Sequence, residues 1–184
     1  MTNILAQEAS IQQTVSVADR SRAFEAAVHE HQGMVFSVAY HFLRDHAAAE
    51  ELAQEVFLEL YRHWDDIESK EHRLYWLRKV ASRRCIDQTR RGKFRNHVSL
   101  EDAPEPFTFM PATDPVLKRY IEQLLEKLAE KPRMIVILRY QEGLEPAEIA
   151  DLLDMPVATV KSHLQRSLAL LRRKLSFATR EEES

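Results

Sequence analysis

Cysteine is almost missing from this chain. Cys85 is the only one in 184 residues, so neither an internal disulfide framework nor a thiolate zinc site can be built by this chain alone. No apolar run approaches the roughly 20 residues that a bilayer-spanning helix needs. Met1–Ser21 lacks the basic stretch followed by an apolar core that marks a secretory signal. Glycine is scarce as well, at three residues. No glycine loop suited to a phosphate and no nucleophile triad can be found. These absences predict a cytoplasmic protein that is not an enzyme. They leave no catalytic residue, metal site or cofactor to assign, no membrane insertion and no small-molecule substrate.

Net charge of one sign is also lacking. The formal value is −3, which by itself argues against a polyanion partner, but the average hides segregation. Between Lys70 and Arg95 stand Lys70, Arg73, Arg78, Lys79, Arg83, Arg84, Arg90, Arg91, Lys93 and Arg95, against only Glu71 and Asp87. Lys161, Arg166, Arg172, Arg173 and Lys174 form a second basic stretch free of acids. The compensating acids gather in Asp45–Glu68 and in the tail Glu181–Glu183. Local charge decides what a surface attracts, so the pattern predicts polyanion contact at two places and a basic partner for the acidic block.

The apolar spacing predicts an all-α protein: two small helical domains joined by a Pro-rich linker, the C-terminal one a helix-turn-helix. Residues 1–21 are polar with little period and are expected to form a flexible extension. Phe24, Ala27, Val28, Val35, Ala39 and Phe42 predict a helix from Arg22 to Leu43, with Gly33 weakening its middle. Asp45 is placed to cap a second helix running to Trp64, with Leu52, Val56 and Leu60 turned inward. Basic helical sequence follows over Leu74–Arg91, completing a first domain over 22–95. Four of the seven prolines fall in 96–115, which reads as the linker. Helical pattern resumes over 116–178, and 179–184 is an acidic tail.

Within the second domain, Gly143 can end one helix. Pro146 and Glu148 suit the first turn of the next. Asp154 and Met155 make a turn, and Pro156 opens another helix. Val157, Val160, Leu164, Leu168, Leu171 and Leu175 then face inward, exposing Thr159, Lys161, Ser162, Gln165 and Arg166. Such hydrogen-bonding and cationic side chains suit base edges and phosphates in a major groove. His163 fits a phosphate contact or a merely solvated position. Met155–Ser167, preceded by Leu138–Leu144 and Glu148–Ala150, closely resembles region 4 of the extracytoplasmic-function (ECF) sigma factors of the sigma-70 family. In that family the region reads the −35 promoter element, which implies Thr159, Lys161, Ser162, His163, Gln165 and Arg166 as DNA contacts. The family's usual glycines are Ala158 and Asp154 here, and a left-handed conformation costs Asp154 more than glycine.

The first domain fits the same resemblance. Ala49–Phe57 with Tyr61 and Arg62 is similar to sigma region 2.2, which grips the β′ clamp helices of RNA polymerase. The acidic, hydrogen-bonding face of this helix suits such a basic helical partner, and the resemblance implies Glu51, Gln54, Glu55 and Phe57 as its polymerase contacts. Leu74–Arg91 is similar to regions 2.3 and 2.4, which melt and read the −10 element. Strand opening needs cations for the backbone and a surface or pocket for an extruded base. The residues so implied are Ile67, Arg73, Tyr75, Trp76, Arg78, Lys79, Arg83, Arg84, Asp87, Arg90 and Arg91. Trp76 suits core packing as well as base stacking, and the family often has asparagine where Arg83 stands. The resemblance implies core RNA polymerase (β′ clamp helices and β flap) and promoter DNA as partners, and an anti-sigma factor as an expected inhibitor. The linker would thread into the polymerase, where Phe107, Phe109 and Met110 could anchor it.

Two other readings compete. A stand-alone helix-turn-helix regulator would need a receiver or dimerisation domain, and the first domain shows neither strand-helix alternation nor a zipper. A helical-bundle metalloenzyme could draw on His29, His31, His41 and His46, but paired Glu-x-x-His motifs are missing.

Overall fold

The computed structural model describes the backbone of residues 2–67, 69–92 and 115–181, and the side chains of 19–67, 69–90 and 121–174. Among the described residues seven α-helices follow one another: α1 (Thr2–Leu43), α2 (His46–Arg62), α3 (Lys70–Gly92), α4 (Pro115–Glu126), α5 (Glu130–Tyr140), α6 (Pro146–Leu152) and α7 (Val157–Glu181). A 3₁₀ turn, Trp64–Asp66, lies between α2 and α3. No strand occurs among the described residues. The linker aromatics Phe107 and Phe109, with Met110, and the end of the acidic tail lie outside them.

The first helix departs from expectation, since it begins at Thr2 rather than Arg22. Neither proline nor glycine occurs before Gly33, so nothing in the sequence breaks the helix. The missing apolar period over 2–21 is no obstacle to a helix, since period reports burial of one face rather than the capacity of a backbone to coil. The helix ends as predicted at Leu43. Arg44 takes a left-handed φ of 58° and its amide donates to the Tyr40 carbonyl at 2.8 Å. Asp45 then caps α2, its Oδ1 accepting from the Ala48 amide at 2.9 Å. This two-residue corner folds α2 back on α1 and buries Ala49, Leu52, Val56 and Leu60.

Helix α2 stops two residues short of Trp64, whose ring instead meets Phe24 edge-on at 5.4 Å. Ser69 starts α3 earlier than expected because its hydroxyl accepts from the His72 amide at 3.0 Å. Leu77, Ala81, Cys85 and Ile86 turn inward from α3.

In the second half, α5 buries Met134–Leu138 on every side. Gly143 takes φ 68° after it, a conformation that favours glycine. Pro146 is the first residue of α6, and the Glu148 carboxylate accepts from the Glu145 amide at 2.7 Å. On α7 the inward row is Val160, Leu164, Ser167 and Leu171. Val157 was expected inside but is 40% exposed, because it occupies the first turn, ahead of the packed segment. Leu168 is only half-buried, and the side chain of Leu175 lies outside the described residues.

The buried residues of both halves join into one apolar cluster. Arg133 of α5 ties them together. It donates to the Phe42 carbonyl at the end of α1 at 3.1 Å, and its guanidinium lies 5.3 Å from the Phe42 ring centroid. Arg44 pairs with Glu122 of α4 across the same seam.

Candidate nucleic-acid and polymerase interface

Helix α2 presents Glu51, Gln54 and Glu55 to solvent, as its period requires. Phe57 does not belong to that face. It is 9% exposed and packs in the core, one residue past Val56 on the inner arc. Leu58 and Tyr61 take its place outside, at 57% and 48% exposure. Leu58 stands off the Leu52–Val56–Leu60 row, which is the sequence signal that exposes it. The face therefore combines acids with exposed apolar surface, the composition of a protein-docking site more than of a solvated helix.

Helix α3 divides its predicted residues into three groups. Tyr75, Arg83, Asp87 and Arg90 are exposed and Lys79 is partly so, forming one stripe at three- and four-residue spacing. A second group packs inside. Ile67 is buried, Trp76 leans on the core, and the Arg73 guanidinium lies 4.9 Å from the Trp64 ring. Core packing is thus the observed role of Trp76. The third group is held in ion pairs. Arg84 reaches back to α2, donating through Nε to Glu59 at 2.9 Å and pairing also with Glu55. Arg78 donates to Glu142 at 3.1 and 3.2 Å. Arg84 and Arg78, implied by the resemblance as DNA contacts, each reach off α3 to an acid of another segment, a partner that sequence position does not reveal. The Arg91 side chain lies outside the described residues.

Helix α7 exposes Lys161, Gln165 and Arg166, with Thr159, Ser162 and His163 half-buried beside them. The turn before it holds Asp154 at φ 51°, the left-handed conformation expected of that position. Its carboxylate sits against α3, accepting Lys79 at 3.0 Å on Oδ1 and Arg83 on Oδ2. The Tyr75 hydroxyl donates to the Asp151 carbonyl at 3.2 Å. An open cleft of about 690 Å³ separates the two elements, lined by Tyr75, Lys79, Asp151, Asp154, Met155 and Pro156 among others.

Electrostatics follow this geometry. Hydrogen bonds from Arg83 and Lys79 hold the Asp154 carboxyl below its usual range, and Asp154 in turn raises Lys79. Burial pushes Glu142 up, against the pull of Arg78. Burial also lifts the Cys85 thiol far above its ordinary value, so this cysteine is not poised as a nucleophile. Among the described residues no three His, Cys, Asp or Glu side chains gather as a metal site would require, and no helix is long and apolar enough to cross a membrane.

Comparison with known proteins gives this arrangement its context. The description Sigma-70 region 2 matches residues 27–95, and Sigma-70, region 4 matches residues 118–171. The chain is 29% identical over 166 residues to the ECF RNA polymerase sigma factor SigW of Bacillus subtilis, covering 83% of this chain and 89% of SigW. It is 30% identical over 152 residues to the RNA polymerase sigma-E factor of Streptomyces avermitilis, covering 83% of this chain and 84% of that protein. Among solved structures, the sigma factor RpoE in complex with the anti-sigma factor NepR from Bartonella quintana superposes with a TM-score of 0.69 at 19% identity, over 84% of this chain and 98% of RpoE. CnrH in complex with the cytosolic domain of CnrY gives 0.62 at 21%, over 85% and 89%. The solved structures share the fold, while both sequence regions occur in the right order over most of the chain. The chain therefore belongs to the sigma-70 family of RNA polymerase sigma factors, in its ECF branch.

Proposed function

We propose that α2 docks this sigma factor on the β′ clamp helices of core RNA polymerase through Glu51, Gln54 and Glu55, with Leu58 and Tyr61 adding apolar contact. The stripe Tyr75, Lys79, Arg83, Asp87 and Arg90 on α3 then meets the −10 element, with Arg91 next along the helix. Lys161, Gln165 and Arg166 on α7 read the −35 element, aided by Thr159, Ser162 and His163, while the second domain rests on the β flap. Residues 22–95 and 116–178 act as the two binding units, joined by the 96–115 linker. An anti-sigma factor is the expected inhibitor, in keeping with the solved complex of the sigma factor RpoE with the anti-sigma factor NepR, and the cytoplasm is the site of action. The chain contributes binding energy and strand separation, and RNA synthesis belongs to the polymerase.

One observation carries this reading: an acidic, partly apolar face on α2 and a basic stripe on α3 stand on adjacent helices of one domain. A stand-alone DNA-binding regulator has no use for the first. The test is co-purification with bacterial core polymerase, wild type beside a Glu51→Ala/Gln54→Ala double variant. Glu55 is spared because it also holds Arg84. Stable binding that the variant loses supports the docking face. Failure of the wild type to bind core, with no inhibitor present, would refute it.

A further inference from the structure

We propose that a recess between the second half of α3 and the start of α5 binds a compact anion with a short apolar body. A small phosphate ester or aryl carboxylate has this chemistry.

Helix α3 neutralises most of its cations from within the chain. Lys70 faces Glu30, Arg78 holds Glu142, Lys79 and Arg83 share Asp154, and Arg84 lies between Glu55 and Glu59. Arg90 breaks this pattern, with no acid in ion-pair range among the described residues. Lys131 of α5 is unpaired in the same sense. It stands in the first turn of its helix, where the helix dipole disfavours a cation, so the fold itself gives no reason for its charge. These two side chains are 41 positions apart in sequence, yet with Arg83 they line one recess of about 140 Å³. Asp87 is the only acid lining it, which leaves three cations against one carboxylate. The rest of the lining is apolar. Ile86 is buried, and Leu153 and Met155 pack partly against the core.

Cations on an open face are each served by water. Here they converge on a concave surface with an apolar lining, which suits a ligand charged at one end and apolar at the other. Volume limits the size. Sites for drug-sized ligands run to about 300–1,000 Å³, so this recess takes an anionic head with a ring or a few carbons and not a whole nucleotide. The occupant would be a regulatory ligand rather than a substrate. It would neutralise Arg90, one of the cations assigned above to the −10 element, and this consequence rests on that assignment.

Isothermal titration calorimetry of the full chain at fixed ionic strength tests the site with phenyl phosphate, benzoate and inorganic phosphate as probes. Phenyl phosphate should bind in the millimolar range or tighter, and about tenfold better than inorganic phosphate through burial of its ring. The order of phenyl phosphate and benzoate tells a phosphate head from a carboxylate. Methyl resonances of Ile86, Leu153 and Met155 should shift together on titration. Arg90→Gln and Lys131→Gln should each weaken phenyl phosphate by up to about fivefold. Arg62→Gln, an equal loss of charge on α2, should leave it unchanged. All three positions are exposed, and melting at the wild-type temperature checks that each variant keeps its fold. Equal affinities in the three variants, or no preference for phenyl phosphate over inorganic phosphate, would overturn the site in favour of diffuse attraction to a basic surface. A fluorescent mixed-sequence duplex then tests the consequence. Phenyl phosphate at a level that saturates wild type should weaken duplex binding by wild type more than by Lys131→Gln, and equal effects would overturn the regulatory role. Calorimetry needs neither polymerase nor promoter, so a failure of core binding would count against the docking reading and not against this site.

Discussion

Replacing Arg84 by alanine separates two roles that its position on a basic helix leaves entangled. Its guanidinium lies between Glu55 and Glu59 of α2, with side-chain exposures of 33% for Arg84, 50% for Glu55 and 30% for Glu59. A hydrogen bond to a charged group contributes about 1.5–3 kcal/mol when desolvated, and an exposed ion pair about 0.2–1 kcal/mol. At this intermediate exposure Arg84→Ala should cost about 1–2 kcal/mol, most of it through Glu59, the less exposed carboxylate. For a chain of this size each kcal/mol lowers Tm by roughly 2–4 °C. Urea unfolding followed by circular dichroism provides the number. A double-mutant cycle with Glu59→Gln should return a coupling of about 1 kcal/mol. If Arg84→Ala unfolds like wild type, couples to nothing, and yet abolishes promoter binding by the holoenzyme, Arg84 is a DNA contact and the bridging role is wrong.

Two further outcomes follow from the first helix. Gly33 is exposed in the interior of α1, and a Cβ placed there meets nothing within 4 Å, so Gly33→Ala should stabilise the fold by about 0.5–1 kcal/mol. A lowered unfolding midpoint would contradict the continuity of α1 at that point. His31 is buried at 9% exposure, and its pKa lies below the ordinary 6.5, first through desolvation and further through Arg73, Arg78 and Lys70, opposed by Glu30. As pH falls below 6.5 the unfolded chain takes the proton more readily than the folded one, so this imidazole removes stability with acidification. His31→Gln should flatten the fall in unfolding free energy between neutral pH and the mildly acidic range, and equal slopes for the two proteins would reject the assignment.

The legible parts of this protein are those written in short-range pattern. The cap at Asp45, the proline opening α6 and the acid face of α2 all depend on neighbours within a few residues, so spacing alone reveals them, while the left-handed turn at Asp154 was implied by the family's glycine at that position. Two kinds of feature escaped. Residues 2–21 lack an apolar period, and their helical backbone left no trace that a periodicity argument could detect. Phe57, expected on the outer face, is buried because a four-residue row fixes the centre of the buried arc and leaves its edges open. The charge partners are the deeper case. Arg84 looks like Arg83 in sequence, yet a rotation of about 100° around α3 sends one toward α2 and the other toward Asp154. A basic helix announces that it needs counter-charge without saying whether DNA or its own chain supplies it. Here its own chain supplies it on two sides. The pairs toward α2 stabilise a domain, whereas those toward Asp154 and Glu142 join α3 to the second half of the chain.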